Sequence, residues 1–181
     1  KNNLTYGFTL IELLVAVSIF IIIMTISMGS ILGIFDANRK SKSLKTVITN
    51  LNLAMEIMSK EMRYGRNYHC LPISEAPGDV TVPRNCQSGG NLMSFLSSDN
   101  VQTTYKLTGT SIEKQSGTGA FIAVTAPETL VTGLNFYTVG AETTDVLQPK
   151  TIIQVTGYTG TGKGRSDFSI QTMVSQRLPD L

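Results

Sequence analysis

Residues able to do chemistry are few and stand in three places along the 181-residue chain. Gly7 precedes Phe8, and Glu12 interrupts an apolar register between Ile11 and Leu13. A glycine has no Cβ, so the backbone at Gly7 is open to close approach. A carboxylate in apolar surroundings calls for a charged partner, unless it is a flanking acid at the end of a membrane span. The second place holds the only two cysteines, Cys70 and Cys86, with His69 beside the first. In an oxidising compartment a bond between them would contribute about 3 kcal/mol for a loop of that size. A metal site on His69, Cys70 and Cys86 would need a further ligand and lacks the usual spacing. A thiol nucleophile beside His69 is the other use, and the thiol is better used in the disulfide. The third place, residues 157–164, reads GYTGTGKG and fits a phosphate loop only as far as Lys163. Gly164 stands where that loop needs Ser or Thr, and strand-like FSIQTMVSQ follows where a helix is required. A hairpin loop is the expected structure. The acids of the C-terminal half are scattered, with no pair placed for proton transfer and no calcium-loop spacing. No catalytic residue, metal ligand or cofactor is therefore expected.

The element that carries Glu12 is unusual. Residues 13–35 read LLVAVSIFIIIMTISMGSILGIF, which is 23 residues without a charge. A helix crosses a ~30 Å hydrocarbon core with about 20 such residues. A secretory signal has a shorter apolar stretch ending in a small-residue cleavage site, which is absent here. Residues 1–71 contain no proline, so nothing forces the helix to stop at Phe35. Beyond it Leu44, Val47, Ile48, Leu51, Met55, Met58 and Met62 recur at steps of three and four, the mark of a helix with one apolar stripe. Arg39, Lys42, Lys45 and Asn52 fall mostly off that stripe. Continuous from Phe8 to Tyr64, such a helix would be roughly 85 Å long. Gly29 is a weak point in it, or a place for close helix packing.

Charged residues are only 15 % of the chain against roughly 25 % in an average domain, which argues against disorder. The net charge of +2 is too small to suggest nucleic-acid binding by itself. It divides as 0 over residues 1–35, +4 over 36–66 and −2 over 67–181.

The ordered run Gly7-Phe8-Thr9-Leu10-Ile11-Glu12-Leu13-Leu14-Val15, tied to the apolar segment, closely resembles the processing signal of type IV pilins and type II secretion pseudopilins. That resemblance implies a prepilin peptidase that cuts between Gly7 and Phe8, N-methylation of Phe8, and Glu12 retained as the fifth residue of the mature chain. It implies a leader over 1–7, a transmembrane and filament-core helix over 8–35, its amphipathic continuation over 36–64, and a β-rich globular domain over 65–181. Because the chain begins at Lys1, a longer leader is expected. In a filament each Glu12 could neutralise the Phe8 amine of a neighbouring subunit. Arg39, Lys40, Lys42 and Lys45 would by the positive-inside rule lie in the cytoplasm. The cysteines and the pilin-like signal favour the globular part outside, and the signal is given precedence.

After Tyr64, prolines and glycines punctuate the chain, and residues 65–91 read as an irregular loop. Short alternating runs follow at 92–96, 101–107, 111–114, 121–125, 131–139, 151–158 and 168–175. The expected fold class is α+β: a long N-terminal helix, its apolar half transmembrane, packed on a mostly antiparallel sheet. The layout of Tyr105-Lys-Leu-Thr-Gly109, Ile112-Glu-Lys114, Val131-Thr-Gly-Leu-Asn-Phe136 and the closing stretch from Phe168 to Arg177 resembles the J-type minor pseudopilin and the W-type minor pilin. The resemblance implies a non-enzymatic subunit near the tip of a secretion pseudopilus, where it primes assembly. A minor pilin of a type IV pilus or DNA-uptake pseudopilus is the alternative. A membrane-anchored extracytoplasmic binding or enzymatic domain is the alternative of another class, and it leaves Gly7 and Glu12 without a role. Implied partners are the prepilin peptidase, other minor and major pilins or pseudopilins, the inner-membrane assembly platform and membrane lipid, with no direct contact to nucleic acid. The implied location is the bacterial inner membrane, single-pass, and the pilus or pseudopilus after assembly.

Overall fold

The computed structural model describes residues 7–71, 80–144 and 147–177. Its contacts divide the chain into two compact units, which meet at Ser41 and Lys42. One helix, α1 (Leu10–Tyr64), contributes residues 10–41 to the first unit and 42–64 to the second.

Among the described residues of the first unit every large apolar side chain is exposed, Leu10 at 79 % and Phe35 at 58 %. Three of the four hydroxyls inside this stretch bond to the helix itself. Ser18 donates to the Leu14 carbonyl at 2.8 Å, Thr25 to Ile21 at 2.8 Å and Ser30 to Ile26 at 3.3 Å. Back-bonding of this kind satisfies those three hydroxyls within their own helix, as an apolar surrounding requires. The helix is long and apolar enough to cross a membrane by length and composition.

In the second unit α1 presents the expected stripe. Val47, Leu51, Ala54, Met55, Met58 and Met62 are buried, with Leu44 and Ile48 at its half-buried margin. Arg39, Lys42, Lys45 and Asn52 are exposed. The strands are β1 (Arg66–Leu71), β2 (Cys86–Gly90), β3 (Leu92–Leu96), β4 (Gln102–Thr108), β5 (Ser111–Ser116), β6 (Ile122–Ala123), β7 (Leu130–Val139), β8 (Lys150–Thr159) and β9 (Ser166–Ser175). They form two antiparallel sheets rather than one, ordered β1-β3-β4-β5-β6 and β2-β7-β8-β9. Both sheets share one core with the helix. Leu51, Met55, Met58 and Met62 pack with Tyr68, Met93, Phe95, Tyr105 and Ile112 of the first sheet, and with Leu134, Phe136, Ile153, Val155 and Val174 of the second. The α+β architecture read from the sequence is the one present.

Three local readings need correction. The stretch 65–91 is not an irregular loop throughout, because β1 and β2 lie in it. β1 buries four consecutive residues, Tyr68 to Leu71, so it shows no alternation, and β2 is CQSGG with no large apolar side chain. Residues 72–79, which carry Pro72 and Pro77, lie outside the described residues. β4 does not alternate cleanly: Thr104 is buried because its hydroxyl pairs with Ser94 at 2.9 Å, which removes the cost of burying both. The 121–125 run keeps only two residues as strand, since Thr125 turns its hydroxyl to the Ile112 N–H at 3.1 Å.

Candidate functional site

Helix α1 starts at Leu10, so Gly7 and Phe8 precede it, and Thr9 is its cap, with its carbonyl accepting from the Leu13 N–H at 3.3 Å. Thr9 and Glu12 fix this boundary together. The Thr9 N–H and hydroxyl donate to Glu12 Oε2 at 2.9 and 2.8 Å, and the Glu12 N–H returns to Thr9 Oγ1 at 3.4 Å. This is a capping box, in which cap and third helical residue satisfy each other's orphan donors. Thr9 is the functional residue the sequence reading missed, although the T-x-x-E spacing of residues 9–12 signals it.

Phe8 is 89 % exposed, and a Cβ built on Gly7 meets no atom within 4 Å. The chain's own packing therefore leaves room for a side chain at position 7. A requirement for glycine there has to come from something that binds the segment. The donors to the Glu12 carboxylate are neutral, so its charge is solvated by hydrogen bonds and not cancelled. Gly7, Phe8 and Glu12 lie within six residues, at the mouth of an exposed apolar helix. That arrangement offers an accessible amide bond followed by an uncancelled acid.

The second place of interest is covalent. Cys70 and Cys86 are disulfide-bonded, and no other cysteine exists. Cys70 belongs to β1 at the edge of the first sheet and Cys86 to β2 at the edge of the second, so the bond joins the two sheets. Both thiols are consumed, which removes the nucleophile and metal readings built on them. His69 is buried, with Nδ1 2.6 Å from the Val82 carbonyl. Backbone bonds support the same corner, from the Cys70 N–H to the Arg84 carbonyl at 3.2 Å and from the Arg84 N–H to the Tyr68 carbonyl at 2.9 Å. Gly90 crosses above the bridge, where a Cβ would stand 2.8 Å from Cys70 Sγ and 2.8 Å from the Leu71 carbonyl.

The GYTGTGKG stretch is the hairpin between β8 and β9 with a single 3₁₀ turn, Gly162–Gly164, at its tip. Gly160 takes φ +76° and Gly162 φ +54°, values that suit glycine in a tight reversal. An open groove of ≈ 450 Å³ lies between the end of α1 and the β3–β4 and β5 region, lined among others by Lys60, Glu61, Asp99 and Lys114. Its one engaged acid is Glu61, which accepts from the Tyr105 hydroxyl at 2.6 Å and from Lys114 at 2.5 Å. Burial, then the hydrogen bond to Glu61 and its negative charge, hold the Tyr105 phenol far above its ordinary range. The cluster ties helix to sheet. Among the described residues no group of three or more His, Cys, Asp or Glu is placed to hold a metal ion.

Compared with known proteins, residues 3–28 match the family model of the prokaryotic N-terminal methylation motif. The match covers Gly7, Phe8, Thr9 and Glu12 together with the first part of the apolar helix, and supports the pilin-like reading of that segment. No curated protein and no solved structure matches the chain significantly.

Proposed function

We propose that the chain is a minor pseudopilin-like structural subunit, cut by a prepilin peptidase between Gly7 and Phe8 and methylated at the new Phe8 amine. The observation that carries this reading is the unencumbered Gly7–Phe8 bond ahead of a capped, fully exposed apolar helix, within a methylation motif. On this reading residues 1–7 leave as a leader, 8–35 anchor the chain in the bacterial inner membrane and later enter a filament core, and 65–181 lie outside the cytoplasm. The disulfide favours that orientation, since such bonds persist in oxidising compartments. The subunit joins other minor pseudopilins near the tip of a type II secretion pseudopilus and primes assembly there. Its work is mechanical, and its partners are the peptidase, other pilins and the inner-membrane platform.

Glu12 has a defined part in this scheme. Cleavage creates a cation at Phe8, and an interior position in a filament would require that charge to be paired. The Glu12 carboxylate, held among the described residues by the neutral donors of Thr9, is the acid available in a neighbouring copy. N-terminal peptide analysis of membrane-extracted protein tests the reading, with a first residue of N-methylated Phe8 as the expected result. A mature chain that still carries Thr5 and Tyr6 in a cell with active prepilin peptidase would overturn it.

A further inference from the structure

The second unit gathers positive charge at one end. Ser43 Oγ and Thr159 Oγ1 lie 3.1 Å apart, so the tip of the β8–β9 hairpin sits beside the first turn of that unit's helix. The helix brings Lys42 and Lys45 to this end, both exposed, and the hairpin brings Lys163 and Arg165 at sequence positions 120 residues away. Residues 42–46 and 159–166 contain no acid. The acids nearest in sequence or strand pairing are Asp36, six residues before Lys42 on the same helix, Asp167, paired to Arg165 at 2.7 Å, and Glu128, two residues ahead of Leu130, which pairs with Tyr158. Counting these three against Arg39, Lys40, Lys42, Lys45, Lys163 and Arg165 leaves an excess of three positive charges.

Its position in the chain says what that surface is. Lys42 follows Phe35, the last residue of the apolar segment, by seven residues. Even fully extended, seven residues span at most about 25 Å. An end so tethered cannot leave the neighbourhood of a bilayer that holds residues 13–35. We propose that this basic end, Lys42, Lys45 and the 160–165 hairpin, docks on the anionic phospholipid headgroups of that bilayer. The proposal rests on the membrane-anchor reading and adds a second, polar contact to it. Each cation near an anionic surface strengthens such a contact and does so less in salt. Docking holds the globular unit against the membrane until neighbouring subunits replace lipid.

The test uses the full chain reconstituted in vesicles of phosphatidylcholine alone or with a third phosphatidylglycerol. Flotation confirms insertion, and amide exchange of the 159–166 segment with amine-reactive labelling of Lys42, Lys45 and Lys163 reads the contact. The expected result is at least about threefold slower exchange and labelling in the anionic vesicles, with Lys60 and Lys150 unchanged. High salt and the K42Q/K45Q/K163Q variant, still inserted, should abolish the difference. Equal protection in both lipids by an inserted chain overturns the docking and leaves the anchor standing. Protection that follows protein density and ignores lipid charge overturns it too, and points to a second copy as the cover. A chain that floats with neither vesicle overturns the anchor and the docking with it.

Discussion

At the scale of single residues, Glu12 does two things that one substitution would confuse. It closes the capping box with Thr9, and it carries the charge that assembly is proposed to use. A capping box accepts Gln as well as Glu at this position, so Glu12→Gln keeps the helix boundary and removes only the charge. We expect that variant to be cleaved and inserted like wild type, and Glu12→Ala to be cleaved as well. Cross-linking of either to partner subunits should fall at least about tenfold, because the Phe8 amine then enters the interior unpaired. Wild-type levels of cross-linked complex with Glu12→Gln would reduce the acid to a cap. Tyr105 gives a prediction of a different kind. An unfolded tyrosine loses its proton near 10.0, whereas burial and Glu61 keep the folded phenol neutral well above that. The unfolded state therefore releases a proton first, and stability is whole below about pH 10 and falls as pH rises beyond it. Denaturant melts from pH 8 to 11 should show a steeper alkaline loss for wild type than for Tyr105→Phe. At neutral pH the variant should be weaker by about 1 kcal/mol for the hydrogen bond to Glu61.

At the scale of elements, the bridge between β1 and β2 matters because each is the outermost strand of its sheet. Cys70→Ser with Cys86→Ser should lower unfolding stability by about 3 kcal/mol, and reductant should do the same to wild type alone. A pair of melting curves, with and without reductant, decides this. Gly90→Ala pushes a methyl into the bridge and the Leu71 carbonyl and should cost about 1–3 kcal/mol even in the oxidised protein. The strands differ in how openly the sequence shows them. β7 and β8 alternate buried residues with half-buried or exposed ones over most of their length, and the sequence runs at 131–139 and 151–158 mark them within a residue or two. β1 hides because both its faces are covered, and β2 because its strand character comes from pairing with β7, through Cys86 to Thr138 and Gly90 to Phe136. Pairing across some fifty residues leaves no local trace, which is also why one sheet was expected where two exist. At the N-terminus the reverse held. Gly7, Phe8 and Glu12 stand in a contiguous motif, while Thr9, whose role is purely geometric, was passed over.

At the scale of the molecule, the chain combines two surfaces suited to different solvents. The helix of the first unit exposes apolar side chains and turns three hydroxyls to its own backbone, and the second unit buries a core of helix and two sheets. We expect full-length protein to stay with the membrane through an alkaline wash and to need detergent for release. Recovery in the wash supernatant would contradict the anchor. Within the second unit, Met58→Ala empties a site that is 0 % exposed between helix and both sheets and should cost about 2–5 kcal/mol, read by thermal or denaturant melts of the detergent-solubilised chain.

The exposed apolar helix carries a thermodynamic consequence for assembly. Lipid tails and neighbouring helices are both hydrocarbon to residues 13–35, so moving from one to the other removes no apolar surface from water. Burial of apolar surface from water is what gives folding and docking their large heat-capacity change. Entry of this helix into a filament should therefore be almost silent in heat capacity, and any such signal on assembly should come from globular units meeting in water. Calorimetry of assembly from detergent or bilayer, repeated across temperature, would separate the two. On the proposed assembly, a helix indifferent to which hydrocarbon surrounds it leaves the balance between membrane and filament to polar contacts such as the one proposed for Glu12.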